Sequence, residues 1–415
     1  MKERFVCVFG RNRDNYDVPV ALFEARLLDR LVTDFYYDGS GRWPTRLIPE
    51  KLKNRWHPKL PKSATTNTYL SFFLQLAFSA LKLPLPLIYP TSDRILGMAA
   101  TFRAYVSRSH VYSYAGYTIP TWVPRSSAIN ILFQYHPHPA YMHSILKSDF
   151  AAHPEVAWSF ENEEDSSADT SSERYSDWKR ADFVVCASTT TKQSLLFAGC
   201  DEARISVIPY GFDRVEPRAT HAREASTECR FLFVGQGIQR KGLHHLIKAW
   251  NSANLSDAHL TLVCYRIDPG IEQLIDPTQR VTLLRRQSSD ELARLYRESD
   301  VFVMPSLIEG FGLVYLEALQ SGCFIIGTGN TGLSDLDLPA DCCDIVEAGD
   351  ISAIRAALMR VRTRHASGHL DRTKISQSAG RRSGADFRRD IAEHARSALA
   401  SSWTRLEAGR RRASA

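Results

Sequence analysis

Short apolar runs bounded by loop residues recur along this chain with helical patterns between them, and they come in two series. That alternation marks an α/β protein built on parallel sheets. The first series places strands at 5–9, 31–34, 111–114, 129–135, 183–188 and 205–209, with helices including 18–30 and 190–198. The second places strands at 231–235, 260–264, 281–284, 301–305 and 323–327, with helices at 243–252, 289–298, 313–321 and 351–361. Between them, 210–229 is rich in Arg, Glu, Pro and Thr and has no periodicity, the composition of an interdomain linker. A chain of 415 residues exceeds what one core supports, ~250–300 residues. The division expected is 1–213, 214–385 and a terminal helix over 386–415, whose Ile391, Ala395, Ala398, Leu399, Trp403 and Leu406 share a stripe and should dock. The acidic, serine-rich stretch 161–172 has no apolar face and reads as an exposed loop.

Composition excludes several classes. Apolar residues make up 44% and charged residues 24%, which rules out long disorder, collagen and coiled coil. Lys and Arg number 52 against 46 Asp and Glu, a net +6 spread too thinly to require nucleic acid and equally suited to phosphorylated small molecules. The eight cysteines include no C-x-x-C pair and several sit in apolar runs, so they read as buried thiols, and no metal site is expected. The start MKERFVCVFG enters a strand with no signal-peptide pattern, giving a cytosolic expectation. The most apolar stretch, 70–89, is interrupted by Gln75, Lys82, Pro84 and Pro86 and falls short of a membrane span.

Two strand-to-helix loops carry the chemistry. In SDVFVMPSLIEGFGLVYLEALQSG, 299–322, a buried strand runs into a loop with Gly310 and Gly312, and a helix opens near Gly312. Unpaired N–H groups at a helix start favour an anion, and glycines let a phosphate approach. Two carboxylates beside such a site, Glu309 and Glu317, are explained as acceptors for sugar and ribose hydroxyls. The bland alternative is that Glu309 caps the turn and Glu317 faces solvent. In FLFVGQGIQRKGLHHLIKAW, 231–250, the loop after Gly235 presents Arg240 and Lys241, placed either to hold a diphosphate or simply as a solvated basic turn.

The spacing Glu309-x7-Glu317, the EGFGLVYLEAL wording, the FVGQGIQRKGLHHLIKA loop and the strand exit ISVIPYGFD resemble the retaining glycosyltransferases of family 4, glycosyl transferases group 1. The resemblance runs from about Ala181 to Gly349, and SSWTRLEA looks like the family's last helix, which crosses back to the N-domain. It implies the GT-B architecture: two Rossmann-like, doubly wound domains facing across a cleft, acceptor on the N-domain and nucleotide-sugar on the C-domain. It also implies that Gly235, Arg240, Lys241, Glu309, Gly310, Phe311, Gly312, Leu313 and Glu317 bind the donor, with Arg240 and Lys241 on the diphosphate, Glu309 on the sugar, the N–H groups of 310–313 on the phosphate or sugar, and Glu317 on the ribose. His136, in ILFQYHPHP, takes the place of the histidine facing the donor sugar, with His138 the next candidate. The catalytic set implied is therefore His136, Arg240, Lys241 and Glu309, with no metal and no cofactor beyond the sugar donor. The sequence departs from the family in two places: Gln236 stands where Arg is common after the strand glycine, and Gly10 stands alone where a Gly-Gly pair is common, leaving Arg11, Asn12 and Arg13 to act in its place or on the acceptor.

A basic run from Arg42 to Lys62, interleaved with Trp43 and Trp56, is consistent with a solvated loop, with contact to anionic headgroups at the inner face of the membrane, or with a lipid-pyrophosphate acceptor. Polysaccharide or glycolipid assembly is the setting implied by the resemblance. The rival readings are a nucleotide-sugar-binding protein without turnover, a dinucleotide oxidoreductase, against which no G-x-G-x-x-G follows a strand, and a nucleic-acid binder. Base, sugar, acceptor, linkage and oligomeric state stay open.

Overall fold

The computed structural model describes residues 2–37, 50–81, 85–117, 128–159, 176–213 and 227–413. Among the described residues, the first half forms one parallel sheet of β1 (Phe5–Val8), β2 (Leu28–Thr33), β3 (Thr65–Asn67), β4 (His110–Tyr114), β5 (Asn130–Gln134), β6 (Phe183–Cys186) and β7 (Ile205–Val207). Its order is β3-β2-β1-β4-β5-β6-β7. The second half repeats the plan with β8 (Cys229–Val234), β9 (Ala258–Val263), β10 (Val281–Leu284), β11 (Val301–Met304), β12 (Phe324–Thr328) and β13 (Cys343–Val346), in the order β10-β9-β8-β11-β12-β13. Central strands such as β1, β11 and β12 are buried at every position, which is why they read as unbroken apolar runs.

In both sheets the chain winds outward in one direction from the first strand and then, at β4 or β11, starts again in the other. Right-handed crossovers then send successive helices to opposite faces and open a crevice at the carboxyl ends of β1/β4 and of β8/β11. The two informative loops follow β8 and β11, neighbours across such a reversal, so topology alone brings them together.

Among the described residues the α-helices longer than one turn are α1 (Asp17–Glu24), α2 (Tyr69–Ala80), α3 (Leu85–Ser107), α4 (Pro139–Ala152), α5 (Thr189–Phe197), α6 (Leu243–Ala253), α7 (Ser289–Glu298), α8 (Val314–Gln320), α9 (Ile351–Ala366), α10 (Arg372–Ser378) and α11 (Gly384–Ala413). Helix α11 packs on α1, and its Phe387, Ile391, Ala395, Ala398 and Leu399 join the core of the first sheet. Its Arg388, 4% exposed, bonds Asp17 and Asp213 at 2.9 Å each. The side chains of Trp403 and Leu406, the segments 161–172 and 214–226, and Arg42, Trp43 and Arg46 lie outside the described residues. All eight cysteines are buried and unbridged.

One expectation needs correction, two short strands went unread, and the expectation that 70–89 falls short of a membrane span agrees with the described helices. The helix read over 18–30 stops at Glu24: Arg26 takes φ +61°, and the chain returns at once as β2. The short edge strands β3 (TTN) and β13 (CDIV) carry polar residues and lack the apolar run by which central strands are read. The 70–89 stretch is a helical pair, α2 and the start of α3, and no described helix is long and apolar enough to cross a membrane.

Candidate active site

The loop after β8 makes one short turn, Gln239–Lys241, and passes through Gly242 into α6. Gly242 has φ +66°, and a Cβ there would stand 1.9 Å from the Pro305 carbonyl oxygen. Only glycine permits that approach, and it locks the basic loop against the loop after β11. The Leu307 N–H donates to the Arg240 carbonyl at 2.9 Å across the same junction.

Glu309 lies at the centre of this junction and is 6% exposed. Its carboxylate accepts from Arg240 Nη1 at 2.8 Å and pairs with Lys241 Nζ. Burial alone would raise its pKa; Lys241, Arg240 and His136 outweigh burial and hold it well below the usual carboxylate range. The sequence-predicted trio is therefore one buried ionic cluster, not a capping residue beside a solvated turn. Beyond it, Gly312 takes φ +90° and Leu313, the N-cap of α8, supplies no side-chain cap, so the first N–H groups of α8 receive no side-chain acceptor from that residue. Glu317 is partly buried; desolvation raises its pKa against the opposing Tyr296 hydroxyl. Gly235 closes β8, its N–H donating to Val263 O at 3.0 Å.

The first domain completes the site from the end of β5. Gly310 is seated so closely against it that a Cβ would lie 2.1 Å from the Tyr135 carbonyl oxygen and 3.3 Å from the His136 Cα. The Gly310 carbonyl accepts from Ser188 Oγ and from Thr191 Oγ1, the latter at 3.2 Å, at the N-terminus of α5. Thr189 N–H and Oγ1 donate to Asp335 at 3.0 and 2.5 Å. These positioning contacts were not legible in the sequence, because Ser-Thr-Thr-Thr at a helix start reads only as a cap.

His136 is solvent-accessible along the cleft yet lies deep between the domains. Desolvation lowers its pKa to about 3; Glu309 opposes the shift, and Arg240, Arg13 and Lys241 add to it. The imidazole is neutral near pH 7 and offers one donor and one acceptor. His138 instead caps α4: its Nδ1 accepts from the Ala140 N–H at 3.3 Å, and its own N–H donates to Ser194 Oγ at 2.7 Å.

The loop after β1 divides its residues. Arg11 is turned into its own domain, bonded to Tyr117 Oη at 2.7 Å and Asp93 at 3.4 Å, with its N–H on Asp34. Arg13 lies over the Tyr135 ring, 4.4 Å from its centroid, within electrostatic reach of His136. Asn12 is exposed, and Gly10 is buried with its Cβ position 2.9 Å from Leu96 Cδ1. The Phe311 side chain faces away from the cleft and packs edge-on against Tyr210, 5.2 Å between centroids, in the first domain's core. Gln236 is exposed at the rim.

A second polar cluster joins the domains at α4 and α6. Asp149 accepts from Gln239 at 2.8 Å and His244 at 3.1 Å, and His245 Nε2 lies 2.8 Å from its other oxygen. Burial would raise the Asp149 pKa, but His244 and His245 hold it far below normal. Asp149, His153 and His245 are close enough to surround a cation, as are Cys229, Asp300 and His365. At the first group Lys248 Nζ already sits 2.9 Å from His153 Nδ1 and pairs with Glu155, the arrangement of a polar latch.

A profile of glycosyl transferases group 1 matches residues 228–363, the segment that holds Arg240, Lys241, Glu309 and Glu317. Those residues form a group 1 glycosyl transferase domain. The O-antigen chain mannosyltransferase RfbU of Salmonella typhimurium is 32% identical over 155 residues, 36% of this chain and 42% of the relative. The D-inositol 3-phosphate glycosyltransferase of Pseudarthrobacter chlorophenolicus is 32% identical over 170 residues, 36% of this chain and 40% of the relative. The chain thus matches less than half the length of these curated relatives, and within it the group 1 domain. Among solved structures, the sucrose-phosphate synthase of Thermosynechococcus elongatus superposes with TM-score 0.59 at 18% identity, over 96% of this chain and 100% of its own. WaaG, a glycosyltransferase involved in lipopolysaccharide biosynthesis, gives 0.57 at 13%, over 94% and 98%. Both domains and the returning helix therefore have the GT-B fold.

Proposed function

We propose that this protein is a retaining glycosyltransferase that moves a sugar from a nucleoside-diphosphate sugar to an acceptor hydroxyl. The observation that carries this reading is the buried Glu309–Arg240–Lys241 cluster at the end of β8/β11, facing His136 across the cleft. Two cations held at one carboxylate are a ready receptor for a diphosphate, which would compete for both and take the charge that develops as it leaves. Two fixed cations and the start of α8 can supply that stabilisation without a divalent metal. Freed from part of its pairing, Glu309 can accept from the donor sugar's hydroxyls, and neutral His136 can bond another.

Retention requires the new bond to form on the face from which the diphosphate departs. The anomeric carbon–oxygen bond to phosphate breaks, the acceptor oxygen bonds the same carbon, and its proton passes to the departing phosphate oxygen, giving a glycoside and a nucleoside diphosphate. The contacts of Gly310 with Tyr135 and with α5 hold the two halves together and exclude water that would otherwise hydrolyse the donor.

The relative RfbU supports a mannosyl donor and a surface-polysaccharide or glycolipid acceptor as the first to test. A lipid-linked acceptor agrees with peripheral contact at the inner face of the membrane through the basic stretch 42–62. The test is proton NMR of the products from the protein, an NDP-mannose panel and a lipid-linked acceptor. A new glycoside with the donor's anomeric configuration is expected. An inverted product refutes retention, and nucleotide-sugar binding without transfer or slow donor hydrolysis refutes turnover.

A further inference from the structure

Helices α2 and α3 pack against each other, Ser71 Oγ 2.6 Å from Ser92 Oγ and Gln75 bonding Ser92 at 2.6 Å, and α3 packs on β1, β2 and β4. Each helix buries one face in this way and turns an apolar stripe outward. On α2 the stripe is Tyr69, Leu70, Phe73 and Leu76, at helical spacings of three and four, with Leu70 62% exposed. On α3 it is Met98, Phe102, Tyr105 and Val106, with Phe102 71% exposed. Eight of the eighteen large exposed apolar side chains on the described surface thus gather on one helical pair, a concentration that isolated surface hydrophobics do not show.

Charge distinguishes this surface from an ordinary protein contact. Residues 51–108 carry nine Lys or Arg against a single acid, Asp93, which is 4% exposed and paired with Arg11. Three of the nine, Arg55, Lys59 and Arg103, pair with Asp34, Glu24 and Asp29 from outside the segment, and the rest leave it with an excess of cations that the remainder of the chain, slightly acidic by count, does not share. Arg94 is exposed on α3 itself, Arg108 is exposed just past its C-terminal end, and the exposed Trp56 and Lys59, the latter paired with Glu24, precede α2.

We infer that the α2–α3 pair is a monotopic membrane-docking surface, whose Leu70, Phe73, Met98 and Phe102 enter the acyl boundary of a bilayer while Arg94 and Arg108 meet anionic headgroups. An apolar helical face flanked by cations lies in the plane of an anionic leaflet, and Tyr and Trp favour the headgroup level. Neither helix needs to cross the bilayer, and none that is described can. Docking here does not require turnover; only the corollary, a lipid-linked acceptor delivered to the N-domain, rests on the transferase reading.

The experiment is flotation of the full chain with phosphatidylcholine vesicles containing either no anionic lipid or about a third phosphatidylglycerol. Wild type should float with the anionic vesicles and at least ~10-fold less with the neutral ones. F73E/F102E should lose at least ~10-fold of the binding. R94E/R108E should lose a comparable amount and flatten the salt dependence, given ~5-fold per cation near an anionic surface. All three proteins should keep the same melting temperature and the same nucleotide-induced shift, because the substituted side chains point to solvent and are remote from Glu309. Wild type that stays unbound to anionic vesicles overturns the assignment, as does binding unchanged in F73E/F102E. A dimer by light scattering that F73E/F102E dissolves, without vesicle binding, also overturns it and gives the face to a second copy. Vesicle binding with no sugar transfer would sink the transferase reading and leave this one standing.

Discussion

Gly310→Ala tests whether the two domains act as one site. A Cβ at this position would stand 2.1 Å from the Tyr135 carbonyl oxygen, whereas real Cβ contacts essentially never fall below 3.0 Å, so the loop and the β5 end must part by about 0.9 Å. Both partners are backbone and cannot swing aside as a side chain would. Overpacking of this kind costs ~1–3 kcal/mol, which depletes the closed arrangement ~5–150-fold. The diphosphate contacts of Arg240 and Lys241 belong to the C-domain alone, so nucleotide binding should survive while transfer falls towards the same factor. Steady-state transfer, nucleotide titration and the radius of gyration from X-ray scattering report the three quantities. Gly380→Ala is the control, because its Cβ would meet nothing within 4 Å. Wild-type transfer and scattering in Gly310→Ala would refute the argument that this contact assembles the site.

Three other outcomes are expected. Glu309→Gln keeps the shape but leaves Arg240 and Lys241 without their carboxylate, which should cost ~3–5 kcal/mol of stability and abolish transfer; calorimetry and turnover check it, and an unchanged melting temperature would refute the buried cluster. Arg388→Met removes the partner of Asp17 and Asp213 on α11; roughly 2–3 kcal/mol should be lost, less than for a fully enclosed pair because Asp213 is largely exposed, and denaturant titration reads it. Acidification should destabilise the fold. His110, His244 and His394 have pKa values lowered to about 4 by burial, from 6.5. The unfolded chain therefore binds more protons between about pH 6.5 and 4; the stability these groups contribute is complete above pH 6.5 and declines as pH falls, by ~1.4 kcal/mol per pH unit for each. Melting temperatures that rise from pH 7 to pH 5 would contradict that sign.

The two-sheet plan could be read from the sequence because central parallel strands are buried on both faces and run apolar, as VFVM and the FII of FIIGT do. Arg240, Lys241 and Glu309 were legible for a related reason: the loops carrying them follow adjacent strands at the point where winding reverses. His136 could be proposed only by likeness, and its distinction from His138 needed the structure, since the local pattern HPH does not say which ring faces the cleft and which caps α4. Arg11 and Arg13 were indistinguishable in sequence; the left-handed φ of +66° at Arg11 and its bond to Tyr117 turn the two side chains apart. The interdomain bonds of Ser188 to Gly310 and of Thr189 to Asp335 join residues 122 and 146 apart in sequence, separations over which no periodic signal reaches. The outward stripe of α2 was hidden in a run that is apolar on nearly all sides, where exposure cannot be told from burial, and that of α3 lies beyond it, at 98–106.

The measurement that tests the central claim most directly is a thermal-shift panel with UDP, GDP, ADP and NAD in chelator-containing buffer, on wild type, Lys241→Met and Glu317→Ala. A ligand at ~100 times its dissociation constant adds about 2.7 kcal/mol, a shift of several degrees. One nucleoside diphosphate should stabilise wild type without added metal, lose most of its effect in Lys241→Met, where the diphosphate loses a cation, and lose part of it in Glu317→Ala. A shift only with NAD, or the same shift in all three proteins, would contradict a diphosphate held at the Arg240–Lys241–Glu309 cluster.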